Sequence, residues 1–489
     1  MKQILYYSTN NLSEKVDFRT ALLNGLASNY GLYMISRNNV PVIERKTLVS
    51  MKEKSYPEIA FTVLSKFLEP DINLCDLEKI CKDAYDERII PTDLRHVTGK
   101  TYIMWLTNGP TYSFKDYAAR FFGRILNYYL EIDDTRRVVV VATSGDTGGA
   151  VADALHSLDR IDNIVFFPKG AISSRQRRQM TTLKKNIYAF EVNGDFDICQ
   201  AIAKRLLADK KFAKDTFENE NILTSANSIS IGRLLPQAVY PFYAYSKLAE
   251  YPEKTIICIP SGNFGNLMGT ILSQGMGLPI EKIVCGVNEN REFPDFLETG
   301  EYTVKPSVYS PSTAMVVSNP SNIARIFDWF GGHVSDQRDK QGRVVEEGFV
   351  DIIPDIKEMN EKIFSSTIKN DEHYSAIKEV YEIYGIMIEP HGAVGWATLK
   401  KYLKNKHNSL SIIYETADPG KFPEEIKRAV NVRPGMPEKM SKQANKQERI
   451  YSISSQPIIK KNGAMVLSDE QYQETMEKIE SIYEEKRSH

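Results

Sequence analysis

The sequence predicts an α/β protein in which parallel strands, flanked by helices on both faces, follow a mostly helical N-terminal unit. Five apolar runs, RRVVVVAT, NIVFFPKG, KTIICIPSG, KIVCGVN and LSIIYET, are typical of strands that are covered on both faces. A glycine-rich or polar turn and then a helical stretch follow such runs, which is the pattern of an α/β fold. Because ligands bind where such strands end, these turns are the first places to look for a site.

The chain divides into three predicted parts. Residues 1–97 form a mostly helical N-terminal unit, in which Ile59, Val63 and Phe67 follow the helical period. Residues 98–433 form the core that contains the strands, with a small lobe at roughly 130–225 and a large lobe in the remainder. The segment VRPGMPEKMSKQANKQERI, rich in charge and proline, marks the start of a C-terminal extension at 434–489.

The extension is predicted to end in a docked helix. Ser468 and Gln471 have the spacing of a capping box. Four apolar residues then lie along one stripe of the helix, as expected of a face that packs on the rest of the protein: Tyr472, Met476, Ile479 and Tyr483.

Composition narrows the classes of partner. The 62 Lys and Arg residues nearly balance the 63 Asp and Glu residues, which gives a net charge of -1 and no general attraction to nucleic acid or to an anionic membrane. The five cysteines are scattered and form no C-x-x-C pair, so neither a metal site nor a disulfide framework is predicted. With no signal peptide and no long apolar run, we expect a cytoplasmic protein.

Lys115 lies in the stretch NGPTYSFKDYAARFF, where the aromatic spacing predicts a helix that begins near Ser113 or Phe114. In the first turn of a helix the dipole disfavours an ammonium group, so the amine is neutral more readily than elsewhere. A neutral amine can form a Schiff base with an aldehyde. The alternative is a surface lysine beside Asp116, which is the commoner situation for an arbitrary lysine.

The stretch TIICIPSGNFGNLMGTIL is a predicted strand, turn and helix. Gly262 and Gly265 allow a turn whose backbone amides bind an anion, while Ser261, Asn263 and Asn266 add side-chain donors. Its spacing is neither G-x-G-x-x-G nor that of a Walker A loop, which argues against a dinucleotide or a nucleoside triphosphate. The alternative is a strand-to-helix turn that merely tolerates glycine.

A second turn of the same kind occurs in VVVVATSGDTGGAVADAL, at residues 143–149. Its hydroxyls and amides suit a carboxylate or a phosphate. We expect both turns to lie on one sheet and to bind two anionic groups, one on a cofactor and one on a substrate.

Taken together, these residues resemble the threonine synthase family, pyridoxal-phosphate enzymes of the tryptophan-synthase β-like fold (fold type II). The resemblance covers most of the chain in order. It is carried by these segments: YYSTN, ALLNGLASNYGLY, GPTYSFKD, ATSGDTGGA, SANSISIGRLLPQ, SGNFGN, NPSNIARI, EPHGAVG and ETADPGKFPE.

The resemblance implies a role for each part of the site. Lys115 would carry pyridoxal 5'-phosphate covalently and act as the catalytic residue. Thr416 would contact the pyridine nitrogen, and because a neutral hydroxyl does not hold that nitrogen protonated, the ring would be a mild electron sink. Ser261, Gly262, Asn263, Phe264, Gly265 and Asn266 would hold the cofactor phosphate. The substrate would be bound by Ser144, Thr147, Asn227, Ser228 and Arg233, with Lys169 a weaker phosphate candidate.

The activity implied is γ-elimination of phosphate from O-phospho-L-homoserine followed by addition of water at Cβ, which gives L-threonine. Asp418 stands where the family usually has histidine, so a phospholyase that releases 2-oxobutyrate is one alternative. The other is a non-catalytic protein that uses the two turns to bind an anion. The sequence leaves open whether the protein is a monomer or a homodimer.

Overall fold

The computed structural model describes residues 3–339, 344–404, 409–460, 463 and 465–488. Its N-terminal unit combines four helices with an antiparallel sheet of order β2-β1-β3. The elements of this unit are β1 (Tyr6–Ser8), β2 (Asn11–Val16), α1 (Phe18–Asn24), β3 (Tyr33–Ile35), α2 (Arg45–Ser50), α3 (Tyr56–Leu68) and α4 (Leu74–Ala84).

The periodicity in the N-terminal unit predicted α3 correctly. Ile59, Val63 and Phe67 are fully buried on one side of that helix. The three short strands were not predicted, because β2 has an exposed polar sequence without the apolar alternation of a half-buried strand.

The middle of the chain alternates strands and helices. Its elements are β4 (Asp93–Thr98), β5 (Thr101–Trp105), α5 (Lys115–Asp133), β6 (Arg137–Ala142), α6 (Asp146–Leu155), β7 (Ile161–Pro168), α7 (Ser174–Thr181), β8 (Ile187–Val192), α8 (Phe196–Ala208), α9 (Lys210–Phe217), β9 (Leu223–Ser225), α10 (Ile231–Leu234), α11 (Val239–Leu248), β10 (Thr255–Pro260), α12 (Gly265–Gly275), β11 (Ile280–Val287), α13 (Glu292–Thr299), α14 (Ile323–Trp329), β12 (His333–Arg338), β13 (Val344–Ile352), α15 (Ile356–Lys362), β14 (Ile363–Thr367), α16 (Asn370–Tyr384), α17 (Pro390–Leu403), β15 (Leu410–Glu415) and α18 (Pro423–Val430).

The strands of the core form two larger sheets. One has the order β14-β11-β10-β15-β5-β4 and is parallel except for the antiparallel pair β4–β5. The other contains β8-β7-β6-β9, all parallel. The two glycine-rich turns follow β6 and β10, which belong to different sheets. The expectation that both turns lie on one sheet was therefore wrong, since strand pairing between distant segments is not written in local spacing.

Both larger sheets are covered by apolar side chains on each face, as the sequence predicted. In β6, Val139 and Val141 pack into the core shared with α5 and α12, whereas Val138 and Val140 pack against α8 on the opposite face. The corresponding outer face of the other sheet packs against α16 and α17.

The C-terminal extension packs on the small lobe of the same chain. Its elements are α19 (Glu438–Gln443), β16 (Tyr451–Ile453), β17 (Ile458–Ile459), β18 (Met465–Val466) and α20 (Asp469–Ser488), and β16 pairs with β8 at the edge of its sheet. The capping box predicted for α20 is present, because Ser468 Oγ accepts from the Gln471 amide at 3.1 Å. Tyr472 and Ile479 are buried against the small lobe. The domain boundaries at 97 and 433 stay predictions.

Candidate active site

Lys115 is the first residue of α5, next to the end of β15. The Phe114 amide donates to the Thr416 carbonyl at 2.9 Å, and Ser113 forms an isolated bridge with Ala417. The preceding turn is fixed by Asp116, whose carboxylate accepts from the Thr111 amide at 2.8 Å and from its hydroxyl at 2.5 Å. These contacts between the start of α5 and the end of β15 bring Lys115 close to Thr416, the residue expected at the pyridine nitrogen.

The Lys115 side chain is 16% exposed, and its Nζ lies 3.8 Å from Oδ2 of Asp146. Burial lowers the pKa of this amine, and the positive charges of Lys421 and Arg233 lower it further, while Asp146 and Glu389 oppose the shift. The neutral, nucleophilic form of this amine is therefore more accessible than in a solvent-exposed lysine.

The turn from Ser261 to Asn266 is stabilised by its own side chains. Ser261 Oγ donates to Asn266 Oδ1 at 2.5 Å, and the same oxygen accepts from the Leu267 amide at 3.0 Å. Phe264 adopts the left-handed conformation, with φ of 58°. A Cβ at Gly262 would lie 2.7 Å from the Cα of Met315, so this position cannot accept a side chain without displacing backbone.

No described residue accepts a hydrogen bond from the five backbone amides between Gly262 and Asn266. These amides precede or begin α12, where the helix dipole favours negative charge. The turn contains no charged side chain and has the donors for a phosphate.

The turn after β6 is stabilised both by hydrogen bonds within the turn and by side chains from other segments. Thr143 Oγ1 accepts from the amides of Gly145 and Gly148, at 2.9 and 2.8 Å. Asp146, the first residue of α6, is buried, and its Oδ1 lies 2.5 Å from Nζ of Lys421 and 3.0 Å from Nε2 of Gln176. Although burial raises it, the pKa of Asp146 is held below its usual range by Lys421 and Lys115. Asp146 is therefore a buried anion.

Ser144 and Thr147 are half-buried in this turn beside Asp146. Asn227 contributes to the same region by pairing with the backbone of Ala142, to which its Oδ1 and Nδ2 bond at 2.9 and 2.6 Å. The Ser228 carbonyl accepts from Nη1 of Arg325 at 3.1 Å. Asn227 thus already uses its side chain to fix the turn, which sequence spacing did not indicate.

Arg233 is buried in α10. Its Nη1 donates to the Ala226 carbonyl at 2.7 Å, whereas its Nε has no partner. No carboxylate in the described part of the chain pairs with it, and burial lowers the pKa of Arg233 to about 10. Lys169, the weaker candidate, is exposed in the turn after β7. An unpaired buried guanidinium near Lys115 is the stronger anion partner.

Two site residues were missed. Lys421 is fully buried between Asp146 and the Thr111 carbonyl, to which it donates at 3.0 Å. Glu389 is fully buried beside Thr416, whose Oγ1 lies 3.5 Å from Glu389 Oε1. Both residues stand within segments already singled out, ETADPGKFPE and EPHGAVG, but no spacing rule predicts which charges in them are buried.

Asp418 caps the short helix Pro419–Lys421 and accepts from the Gly420 amide at 2.7 Å. Burial raises the pKa of its carboxyl. The residue also lines an open cavity of about 480 Å³ that includes Arg95 and Arg433. Its carboxylate thus has a structural partner within its own turn.

The site fits pyridoxal 5'-phosphate in three respects. Lys115 supplies an amine with a lowered pKa for the aldehyde, and the amides from Gly262 to Asn266, which have no acceptor among the described residues, suit the phosphate. Thr416 is the hydroxyl at the end of β15 that lies beside the start of α5. The chain in fact matches the family model described as "Pyridoxal-phosphate dependent enzyme" over residues 99–414. Fold and site together define a pyridoxal-phosphate-dependent enzyme of fold type II.

Two further models match outside or at the end of this region: "Threonine synthase N terminus" at residues 5–85 and "Threonine synthase, C-terminal" at 392–461. A threonine synthase of Pseudomonas aeruginosa is 32% identical over 455 residues, which cover 91% of this chain and 94% of the relative. The chain belongs to the threonine synthase family.

Solved structures agree with this assignment. The pyridoxal-phosphate-bound threonine synthase from Brucella melitensis superimposes with a TM-score of 0.83 at 28% identity, covering 98% of this chain and 99% of that one. Threonine synthase from yeast gives a TM-score of 0.82 at 26% identity, covering 99% of each chain. The fold type and the enzyme class predicted from the sequence are confirmed.

Proposed function

We propose that this threonine synthase converts O-phospho-L-homoserine and water to L-threonine and phosphate, with Lys115 as its catalytic residue. The observation that carries the choice of a phosphorylated substrate is the buried guanidinium of Arg233, which has no carboxylate partner among the described residues. Its charge is close enough to lower the pKa of Lys115. A planar guanidinium with free donors can bind two phosphate oxygens at once.

In this proposal the turn from Ser261 to Asn266 holds the cofactor phosphate, and Thr416 contacts the ring nitrogen. When bound, pyridoxal 5'-phosphate supplies an electron sink for negative charge that develops beside the substrate amino group. Lys115 would hold the cofactor, and its free amine would move protons at Cα and Cβ of the substrate. The lowered pKa of Lys115 supports this role because a general base must be unprotonated.

The remaining residues orient the substrate. Ser144 and Thr147 flank the buried carboxylate of Asp146 and present hydroxyls to the substrate carboxylate. Asn227 and Ser228 contribute to the same region of the site, and Arg233 binds the phosphate that leaves from Cγ. Asp146, at 3.8 Å from Nζ, stabilises the Lys115 ammonium whenever the amine has taken up a proton.

Asp418 keeps the alternative of a phospholyase testable. Its carboxylate accepts from Gly420 and lines a cavity, which supports a structural role in the turn that presents Lys421. We therefore expect water addition to be retained and threonine to be the product.

No helix in the described residues is long and apolar enough to cross a membrane. All five cysteines are free thiols, and four of them are buried, which supports a cytoplasmic location. The enzyme is either a monomer or a homodimer. Sedimentation analysis of the purified protein would distinguish the two states.

The test is product analysis with purified protein, pyridoxal 5'-phosphate and O-phospho-L-homoserine. We expect equal amounts of phosphate and threonine, and neither product from Lys115→Ala. Phosphate accompanied by 2-oxobutyrate would replace the proposal with the phospholyase.

One arginine variant and one lysine variant test the proposed phosphate site in the same assay. Arg233→Met should raise the KM for O-phospho-L-homoserine, whereas the matched control Lys169→Met, which removes an exposed cation, should leave it unchanged. Equal effects of the two substitutions would remove Arg233 from the phosphate site.

A further inference from the structure

Arg325 is a fully buried arginine in α14 that makes no ion pair in the described part of the chain. Asp328 lies further along the same helix, but its Oδ2 accepts from the Tyr7 hydroxyl at 2.5 Å. Burial lowers the pKa of Arg325 to about 9, although the charge of Asp328 opposes this shift. The guanidinium therefore stays protonated at neutral pH, as a buried cation bonded to uncharged groups.

The donors of Arg325 fix its orientation against two separate parts of the chain. Its Nε donates at 3.0 Å to the carbonyl of Tyr33, which belongs to β3 of the N-terminal unit. Its Nη1 and Nη2 donate to the carbonyls of Ser228 and Ile229, at 3.1 and 2.5 Å. Nη1 also donates to Oδ1 of Asn322 at 2.7 Å. The N-terminal unit and the segment after β9 thus hold the guanidinium with one donor aimed at Asn322.

Asn322, which is fully buried, connects this guanidinium to the turn at 261–266. Because a guanidinium can only donate, Oδ1 of Asn322 faces Arg325 and Nδ2 faces away from it. Nδ2 donates to the carbonyls of Asn263 and Ser228, at 2.9 and 3.3 Å. The backbone amide of Asn322 also donates to the Asn263 carbonyl, at 3.3 Å. An amide whose oxygen accepts from a cation is a stronger donor at its nitrogen, since hydrogen bonds in a chain polarise one another.

The carbonyl of Asn263 and the amide of Phe264 belong to one peptide group. Because that carbonyl accepts two hydrogen bonds from Asn322, the Phe264 amide is polarised as a donor. This amide has no acceptor among the described residues. Phe264 has a φ of 58°, and a left-handed residue in a turn lets successive amides converge on an anion. The charge of Arg325 is therefore two hydrogen bonds away from an amide that can bind an anion.

We propose that Arg325 supplies the positive charge of the cofactor-phosphate site, acting through Asn322 on the turn at 261–266. The inference rests on the proposed assignment of this turn to the cofactor phosphate. A phosphate monoester carries a charge of about −1.5 to −2 at pH 7, and the turn has no charged side chain of its own. Arg325 is a positioning residue, since it acts on the phosphate through other groups. The N-terminal unit takes part because the Tyr33 carbonyl fixes the guanidinium.

The test compares two ligands that differ only in the phosphate. The apoprotein is titrated with pyridoxal 5'-phosphate and, separately, with pyridoxal, and the absorbance of the lysine-bound ligand gives each dissociation constant. Arg325→Met should weaken binding of pyridoxal 5'-phosphate about 10- to 100-fold, the range expected for hydrogen bonds that involve a charged group. Binding of pyridoxal should be unchanged, whereas general damage to the fold would weaken both ligands.

The matched control is Arg120→Met. Arg120 is a buried arginine of α5 that likewise donates to backbone carbonyls, from Nε to Ala84 at 2.6 Å and from Nη2 to Asp83 at 3.0 Å. It has no contact with the turn at 261–266 among these bonds. Arg120→Met should therefore bind both ligands as the native protein does.

Two results would overturn the inference: native affinity for pyridoxal 5'-phosphate in Arg325→Met, or a loss of affinity for pyridoxal by the same factor. If Arg325→Met does not fold, Asn322→Leu tests the same link, because it removes the amide between the guanidinium and the Asn263 carbonyl. It too must weaken binding of pyridoxal 5'-phosphate alone.

Gly262→Ala distinguishes a failure of the inference from a failure of the proposed phosphate site. A methyl group at this position obstructs the turn itself, whichever residue supplies the charge. If Gly262→Ala weakens binding of pyridoxal 5'-phosphate and Arg325→Met does not, the role of Arg325 is wrong and the turn keeps its assignment. If neither substitution weakens it, the turn does not hold the cofactor phosphate.

Discussion

The two glycine-rich turns look alike in sequence but are stabilised differently. The turn at 261–266 contains no charge, and it is closed by Ser261 and Asn266 within the segment itself. The turn at 143–149 contains a buried aspartate, Asp146, that is neutralised by Lys421 from a segment hundreds of residues away. The turn at 261–266 is therefore stabilised by contacts within its own segment. The turn at 143–149 depends on a residue from a distant segment, so its stability depends on how those segments pack together.

The largest difference between the turns should appear when Lys421 is removed. Lys421→Met leaves Asp146 as a buried charge without its closest partner, which costs about 3–5 kcal/mol of unfolding free energy. Chemical denaturation of the apoprotein measures this loss. Asp146→Asn in the same chain should recover most of it, since the uncompensated charge is then gone.

The matched control for this prediction is Lys439→Met. Lys439, in α19, pairs with Asp153, which lies in α6 as Asp146 does. The two atoms of this pair are also 2.5 Å apart, but the Lys439 side chain is 44% exposed. An exposed pair contributes about 0–1 kcal/mol. Equal losses from Lys421→Met and Lys439→Met would contradict the view that the second turn depends on a buried pair.

The turn at 261–266 should instead be sensitive to added volume. In Gly262→Ala the new methyl group meets the Met315 backbone, and overpacking of about 1–3 kcal/mol should weaken pyridoxal 5'-phosphate binding about 10- to 100-fold. Titration of the apoprotein with the cofactor gives the dissociation constant. Gly435→Ala, where the methyl group meets no atom within 4 Å, serves as the control and should bind normally.

Acid should affect the turn that contains Asp146 more than the uncharged turn. A carboxyl whose pKa is lower in the folded protein contributes stability above its unfolded pKa, about 3.9, and loses it as the pH falls toward the folded value. The difference in unfolding free energy between the native protein and Asp146→Asn should be constant above about pH 5. Below about pH 3.9 it should fall by up to about 1.4 kcal/mol per pH unit. A difference that grows on acidification would show the opposite sign.

The smallest effect is expected from Ser261→Ala. This substitution removes one hydrogen bond inside the uncharged turn, while the Leu267 amide and the Pro260 carbonyl still hold Asn266. The expected loss is about 1 kcal/mol of unfolding free energy, measured by thermal denaturation. A loss as large as that of Lys421→Met would mean that the turn is not held by several independent bonds.

The sequence by itself determined the five apolar strands, the two turns and the position of Lys115 at a helix start. Each of these follows from local order: apolar runs such as that of β6, glycines such as Gly262, and the aromatic spacing after Lys115. The stripe and the capping box at Ser468 likewise predicted the terminal helix. These features are local, so neighbouring residues suffice to specify them.

Tertiary structure alone decided which charges meet. Two contacts join segments that are distant in the chain: Lys421 with Asp146, and Glu389 with Thr416. The lack of a carboxylate partner for Arg233 among the described residues likewise depends on how the chain folds. The division of the predicted core strands between the two larger sheets also depends on contacts between distant segments. Burial and pairing depend on how the elements pack, and the low dielectric of the packed interior is what shifts the pKa of Lys115.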